Sequence, residues 1–223
     1  MRKRLLHITS IILCLFGISS GLTAAKANWP GWLGPERNGR VAGFKPPEKW
    51  PEKLEKAWQV EVGTGYGSPI VADGKVWQHA RQGEDEVVHC IDLKSGKVLW
   101  TKSSPVPFKP GGGGERHGKG PKACPAYADG RLFTMSITGT MTSWDADTGK
   151  ILWSKTPGKR FGKPHAHWGT SNSPFVEGEK VVNLFGNDKH GALIALDVAT
   201  GDIAWSHGKD GTCYSSPFPA EIE

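Results

Sequence analysis

Asp145-Ala-Asp-Thr-Gly149-Lys-Ile-Leu-Trp153 is the middle copy of a pattern that occurs three times, with Gly four residues and Trp eight residues after the Asp. The other copies are Asp92-Leu-Lys-Ser-Gly96-Lys-Val-Leu-Trp100 and Asp197-Val-Ala-Thr-Gly201-Asp-Ile-Ala-Trp205. Their tryptophans lie 53 and 52 residues apart. A period of about 50 residues is typical of propellers, solenoids and repeat arrays, so the pattern predicts a modular architecture.

Each repeat contains four short apolar runs separated by turn residues. A run that follows a Pro comes first, and an acidic residue with Gly then marks a hairpin turn in each copy: Asp73-Gly74, Asp129-Gly130 and Glu177-Gly178. The third run ends in the Asp of the pattern, and the fourth carries the Trp. Because no segment has a sustained helical period, we expect an all-β fold of four-stranded antiparallel units, which is the organisation of β-propeller blades.

The pattern residues are interpreted as structural. We expect the Asp carboxylate to accept hydrogen bonds from the next backbone amides, and the Gly to take a left-handed conformation beside a bulge. The Trp should bury its ring, with its indole N–H reaching a backbone acceptor in the adjacent unit. The position two residues before the Asp is small in all copies: Cys90, Ser143 and Ala195. The structural repeat residues are Asp92, Gly96, Trp100, Asp145, Gly149, Trp153, Asp197, Gly201 and Trp205.

The first 27 residues have the composition of a secretory signal peptide. Basic residues at 2–4 precede a mostly apolar stretch at 5–22, and Ala25-Lys26-Ala27 fits a cleavage site. An uncleaved membrane anchor is the alternative, although the stretch is short and interrupted by polar residues. We expect an exported protein, periplasmic or extracellular, with no membrane span after removal of the signal.

Charge and cysteine content narrow the function classes. The signal peptide contains four of the 28 basic residues and no acid, which leaves 24 basic and 22 acidic residues and gives no indication of nucleic acid binding. Three cysteines remain, Cys90, Cys124 and Cys213, so at least one is unpaired, and the sequence does not define any pairing. Cys90 is interpreted as a small buried residue rather than a redox group.

Two features resemble the pyrroloquinoline quinone (PQQ)-like β-propeller repeat family. The Asp-x-x-Thr-Gly-x-x-x-Trp copies at Asp145 and Asp197 are similar to its tryptophan-docking repeat, and the first copy differs by Ser95 in the Thr position. The segment Asn28-Trp-Pro-Gly-Trp-Leu-Gly-Pro-Glu-Arg-Asn-Gly39 is similar to the start of exported members from planctomycete-type bacteria. The family includes quinoprotein alcohol dehydrogenases and the assembly factor BamB, and the resemblance implies a β-propeller.

The repeats divide the chain into three parts: the signal peptide (1–27), an N-terminal segment with an outer closing strand (28–65), and propeller repeats (66–223). Trp58 takes the Trp position in the outer strand. Blades are expected at about 66–102, 123–156 and 171–208, with the start of a fourth at 212–223. Since propellers of this family carry roughly seven or eight blades, we expect a partial propeller with the remainder missing from this chain. An arc completed by a partner chain is the alternative.

One face of the propeller is the predicted ligand face. Links between the fourth strand of one blade and the first of the next lie on the same face as links between second and third strands. Two of these links, 103–122 and 156–172, are long, and long loops on a rigid scaffold often form binding sites. The candidate ligand-face residues are His117, Arg160, His165, His167, Asp188 and His190.

Three functions are considered for this face, and no residue is assigned as catalytic. The favoured hypothesis is a binding or assembly scaffold in the cell envelope, with envelope proteins or a small anionic ligand as partners. The resemblance alone implies PQQ and Ca²⁺, and with them a dehydrogenase of alcohols or sugars or a fragment of one. Such enzymes carry a disulfide between neighbouring cysteines, and no two cysteines are adjacent here. The third hypothesis is a site for an unknown metal at His165-x-His167.

Overall fold

The computed structural model describes residues 28–220, so the predicted signal peptide lies outside the described residues. Twelve strands within them form three four-stranded antiparallel sheets, each built from consecutive strands. The strands of blade 1 are β1 (Ile70–Ala72), β2 (Lys75–Gln82), β3 (Asp85–Asp92) and β4 (Val98–Pro105). Those of blade 2 are β5 (Ala126–Ala128), β6 (Arg131–Met135), β7 (Met141–Asp145) and β8 (Ile151–Lys155). Those of blade 3 are β9 (Phe175–Glu177), β10 (Lys180–Gly186), β11 (Gly191–Asp197) and β12 (Ile203–His207).

This arrangement confirms the all-β class and the partial propeller. The only helical elements in the described residues are two short 3₁₀ turns, Glu115–His117 and Pro157–Phe161, both in the long interblade links. No strand is assigned at 54–60, predicted as an outer strand, or at 212–220, predicted to open a fourth blade. No helix between residues 28 and 220 is long and apolar enough to cross a membrane.

The first hairpin of each blade follows its turn chemistry. In blades 1 and 2 both central turn residues have positive φ, as a type I′ turn requires: Asp73 (48°), Gly74 (74°), Asp129 (47°) and Gly130 (75°). The predicted turn pair Glu177-Gly178 is wrong by one residue, because Glu177 ends β9 and the loop is Gly178-Glu179. Gly178, with φ of 53°, is its first central residue, which is where a type II′ turn places glycine.

The Asp of each repeat closes the turn that follows it. Its Oδ1 accepts the backbone N–H of the residue three positions later, at 2.7 Å for Asp92, 2.8 Å for Asp145 and 2.9 Å for Asp197. These hydrogen bonds, with the Ser95 and Thr148 hydroxyls as the largest contribution in the first two turns, lower the pKa of each carboxyl. A register shift precedes each Asp, and the Gly has φ of 70°, 67° and 72° in chain order.

The Trp of each unit docks on the turn of the next. Trp58 donates its indole N–H to the Leu93 carbonyl at 2.9 Å, although no strand is assigned around it. Trp100 donates to Ala146 at 3.1 Å and Trp153 to Val198 at 3.0 Å. In every case the acceptor is the residue after the repeat Asp, and the indole ring covers the repeat glycine: Gly96, Gly149 and Gly201. Trp205, in the last described blade, is 38% exposed.

Apolar clusters fill the space between blades and form the core. Blades 1 and 2 share a cluster that includes Trp77 and Trp144, and blades 2 and 3 share a larger one that includes Phe133 and Phe185. The N-terminal segment also ties blades together. Trp29 pairs with Val71 of β1, the Pro30 carbonyl accepts the Tyr127 N–H of β5 at 2.7 Å, and Arg37 lies over the Phe175 ring of β9 at 5.0 Å; Arg37 also donates to the Pro217 carbonyl.

The three cysteines of the described residues form no disulfide. Cys90 is fully buried in β3, as expected for a small packing residue, and burial raises the pKa of its thiol to about 11. Cys124 is buried, and its Sγ accepts the Ser68 N–H at 3.1 Å. Cys213 is exposed.

We expect Gly149→Ala to destabilise the protein more than Gly130→Ala. Both glycines have positive φ, 67° and 75°, so the backbone cost of alanine is similar. An added Cβ at Gly149 lies 2.8 Å from the Trp100 ring, whereas nothing lies within 4 Å at Gly130. Urea unfolding should show a further loss of about 1–3 kcal/mol for Gly149→Ala. Equal losses would contradict a role of the Trp contact in stability.

We also expect one fast thiol among the three. Cys213 should react rapidly with a disulfide reagent near neutral pH, because it is exposed, while Cys90 and Cys124 should react only on unfolding. The number of fast thiols is read from absorbance with and without denaturant. Cys213→Ser should remove the fast phase, and a fast phase that persists would contradict the burial of the other two.

Candidate functional site

The long links fold against one another on one face of the arc. The Gly111 N–H donates to the His167 carbonyl at 3.2 Å, and the Trp168 indole donates to the Gly112 carbonyl at 3.2 Å. The β10–β11 link joins them, because the Asn187 side-chain amide donates to the carbonyls of Phe161 and Lys163. Long-range hydrogen bonds therefore fix Gly- and Pro-rich loops whose only regular elements are the two short 3₁₀ turns.

A cavity of about 540 Å³, the loop pocket, opens on this face. Three of its side chains are the aromatic rings of Tyr66, Trp168 and Tyr214; Trp168 and Tyr214 have ring centroids 5.7 Å apart. Three more are the side chains of Arg116, Lys122 and His117. The full lining is Tyr66, Gly113, Arg116, His117, Lys122, Trp168, Ser171 and Tyr214.

The loop pocket has a positive lining without a carboxylate. The Lys122 ammonium donates to the Trp168 carbonyl at 2.7 Å, and partial burial lowers its pKa. The Tyr214 hydroxyl accepts the Trp168 N–H at 3.3 Å. Burial, followed by the nearby Asp188 carboxylate, raises the pKa of Tyr214, so this phenol is neutral at ordinary pH. Arg116 and Lys122 therefore supply the fixed charge.

The pocket is built from one repeated position of the sequence. Tyr66, Lys122, Ser171 and Tyr214 each lie three residues before the proline that opens a repeat. The residues just before those prolines form a hydrogen-bonded series: the Ser68 N–H donates to Cys124 Sγ, the Cys124 N–H to Ser173 Oγ, and the Ser173 N–H to Ser216 Oγ. The series holds neighbouring first strands in register and brings the four equivalent side chains to one cavity.

Of the six predicted ligand-face residues, only His117 lines the loop pocket. His165 has its Nδ1 2.8 Å from the Ala166 carbonyl and its ring 5.3 Å from Phe108, and burial lowers its pKa. The His167 ring covers Gly111 so closely that an added Cβ there would lie 2.3 Å from Nε2.

The remaining three predicted residues do not line the pocket, although the Asp188 carboxylate lies near the Tyr214 hydroxyl. Arg160 lies over the Phe161 ring at 4.7 Å and donates to the Ser206 hydroxyl on β12. The backbone N–H of His190 donates to Asn187 Oδ1 at 3.0 Å, and the backbone carbonyl of Asp188 packs against Gly211.

The described residues do not fit a metal centre or a PQQ–Ca²⁺ pair. No group of three His, Cys, Asp or Glu side chains within residues 28–220 is placed to hold a metal ion. His165 and His167 lie in a loop with different packing partners, rather than side by side on a strand. A planar anion suits the loop pocket, but Ca²⁺ takes oxygen ligands such as carboxylates, and none lines it.

Sequence reasoning missed Tyr66, Lys122, Ser171 and Tyr214 as site residues because it selected residues by chemical type. The signal that identifies them is their shared offset of three residues from Pro69, Pro125, Pro174 and Pro217.

Comparison with known proteins gives matches across most of the chain. A 1-butanol dehydrogenase (cytochrome c) from Thauera butanivorans is 34% identical over 113 residues, 48% of this chain and 14% of the relative. A polyvinylalcohol dehydrogenase from Sphingopyxis sp. is 27% identical over 217 residues, 89% of this chain and 30% of the relative. The structure of quinohemoprotein alcohol dehydrogenase ADHIIG from Pseudomonas putida HK5 matches with a TM-score of 0.53 at 22% identity, covering 81% of this chain and 26% of that one.

The chain thus spans less than a third of the length of these relatives, and the structural match shows the fold alone. The family described as outer membrane protein assembly factor BamB matches residues 84–217, more than half of the chain. With three Asp-Gly-Trp repeats whose turns each receive a docked Trp, the chain belongs to this family of PQQ-like repeat propellers.

Proposed function

We propose that the chain forms the ligand-binding face of an exported propeller and binds a small aromatic anion in the loop pocket. The observation that carries this proposal is the convergence of Tyr66, Lys122, Ser171 and Tyr214 from equivalent repeat positions. The described residues act as a binding module in the cell envelope, without a catalytic group of their own. The signal-like sequence at 1–27 supports export.

The lining supports this ligand class on physical grounds. Aromatic rings such as Trp168 and Tyr214 bind planar ligands by stacking and edge contacts. The Arg116 guanidinium binds carboxylates through paired hydrogen bonds, and Lys122 adds a second charge. A volume of 540 Å³ falls within the range of about 300–1,000 Å³ of small-molecule pockets. A cation would find no carboxylate in the lining.

Binding of 4-hydroxybenzoate tests the proposal. By titration calorimetry we expect Arg116→Gln to weaken binding about tenfold or more, because a hydrogen bond to a charged group is lost. Lys109→Gln is the matched control, since it removes one charge from an exposed residue of the same link outside the pocket lining. Equal effects of the two variants, or equal affinity for neutral 4-hydroxybenzamide, would overturn the proposal.

A PQQ- and Ca²⁺-dependent dehydrogenase is the second candidate, favoured by the names of the relatives that match 48% and 89% of the chain. Under the binding-module proposal, the purified chain supplied with PQQ and Ca²⁺ should give no dye-linked oxidation of 1-butanol, polyvinyl alcohol or glucose. Turnover that depends on both additions would replace the binding-module proposal with the dehydrogenase.

A further inference from the structure

A second cavity, of about 340 Å³, lies between blades 1 and 2. This interblade cavity shares no lining residue with the loop pocket. Seven of its fourteen lining residues are Ser or Thr, contributed mainly by blade 2. Blade 1 contributes His79, Glu86, Val88, Ser104 and Pro105. The cavity is therefore a polar space within an interface whose remaining part is apolar.

The neighbouring interface shows that this space is a departure from the repeat. Cross-strand pairing aligns the units, because Lys75, Arg131 and Lys180 each face the repeat Asp of their own blade. By this register Thr142 of blade 2 is equivalent to Ile194 of blade 3, and Ser136 to Phe185. Ile194 and Phe185 are buried in the cluster between blades 2 and 3. Their side chains fill the space at that interface, whereas the equivalent space between blades 1 and 2 is open.

Blade 1 differs at the facing positions. His79 is equivalent by the same register to Met135, and Met135 is buried in the apolar cluster on the other side of blade 2. A hydrophobic side chain at this position suffices for packing in blade 2. Blade 1 has His79 at this position with Glu86 next to it. It therefore buries two polar side chains where blade 2 buries an apolar one, and the burial of polar groups costs free energy.

The His79–Glu86 pair is buried between blades 1 and 2. His79 Nε2 lies 3.2 Å from Glu86 Oε2, and both side chains are less than 5% exposed. Glu86 Oε1 accepts the Ile137 N–H of blade 2 at 2.9 Å, so the carboxylate also bridges the two blades. His79 Nδ1 is buried without a hydrogen-bond partner. A hydroxyl group, which both donates and accepts, can pair with this nitrogen whichever ring nitrogen carries the proton.

We propose that the interblade cavity binds a small neutral polyhydroxylated molecule, a polyol or monosaccharide. Hydroxyl groups of such a ligand both donate and accept, which matches the Ser and Thr lining, and one hydroxyl supplies the hydrogen-bond partner that His79 Nδ1 lacks. Trp144 and Val88 line the same cavity and provide apolar surface for the C–H groups of the ligand. The Glu86 carboxylate already lies against His79 and accepts the Ile137 N–H, so neither side chain is left to balance the charge of an ionic ligand.

Titration of the purified chain with D-glucose and myo-inositol, followed by ligand-observed NMR, tests this site. Ser104 lines the cavity directly opposite Glu86 on β4, whereas Ser103 is exposed and lies outside the lining. We expect Ser104→Ala to weaken binding about three- to tenfold, and Ser103→Ala to leave it unchanged. No binding of either probe to the wild-type chain at high millimolar concentration, or equal loss in both variants, would overturn the proposal.

Thr142→Ile tests the cavity itself, because it introduces the residue that blade 3 carries at the equivalent position. We expect it to abolish binding of glucose and inositol while the melting temperature stays at or above that of the wild type. Unchanged probe binding by the folded variant would overturn the proposal. Its 4-hydroxybenzoate affinity should remain that of the wild type, which separates this site from the loop pocket.

Discussion

The docking of one Trp on the turn of the next repeat is the interaction on which the rest of the arc depends. The indole N–H needs an acceptor, and the carbonyl after the repeat Asp provides one in each of three successive turns. The ring needs a flat surface, which only a residue without Cβ supplies. The Asp fixes the turn so that carbonyl and glycine face the same way. The spacing of Asp, Gly and Trp that the three copies share thus serves a single contact between units.

Fixing the blades relative to one another also fixes the loop pocket. Four side chains from equivalent positions meet only because the first strands are held side by side, by the series that runs from Ser68 to Ser216 and by the N-terminal segment across β1, β5 and β9. The pocket is therefore a product of the repeat geometry, while its chemistry comes from the residues that each unit places at the shared position. Lys122 gives it charge, and Tyr66 and Tyr214 give it aromatic surface.

The fold was predictable from the sequence because its determinants are local. The Asp-Gly-Trp spacing and the acidic-Gly turns predicted the strands of the three blades, with the turn at Gly178 displaced by one residue. The strands predicted at 54–60 and 212–220 are not assigned. The ligand face was not predictable in the same way. His165 and His167 lie in a link without regular structure, where Phe108 and Gly111, more than fifty residues earlier, decide the orientation of their rings. Local pattern carries no information about such partners.

Differences between equivalent positions are more informative about function than the repeat itself. Packing explains why Ile194 and Phe185 fill one interface, and the same packing would accept similar residues at 142 and 136. The interblade cavity instead leaves a polar space lined by Thr142, Ser136, His79 and Glu86, with His79 Nδ1 buried without a hydrogen-bond partner, which is unfavourable for the folded chain by itself. A ligand that supplies the missing hydrogen bonds removes that cost, so binding at this interface and cohesion of blades 1 and 2 are expected to be coupled.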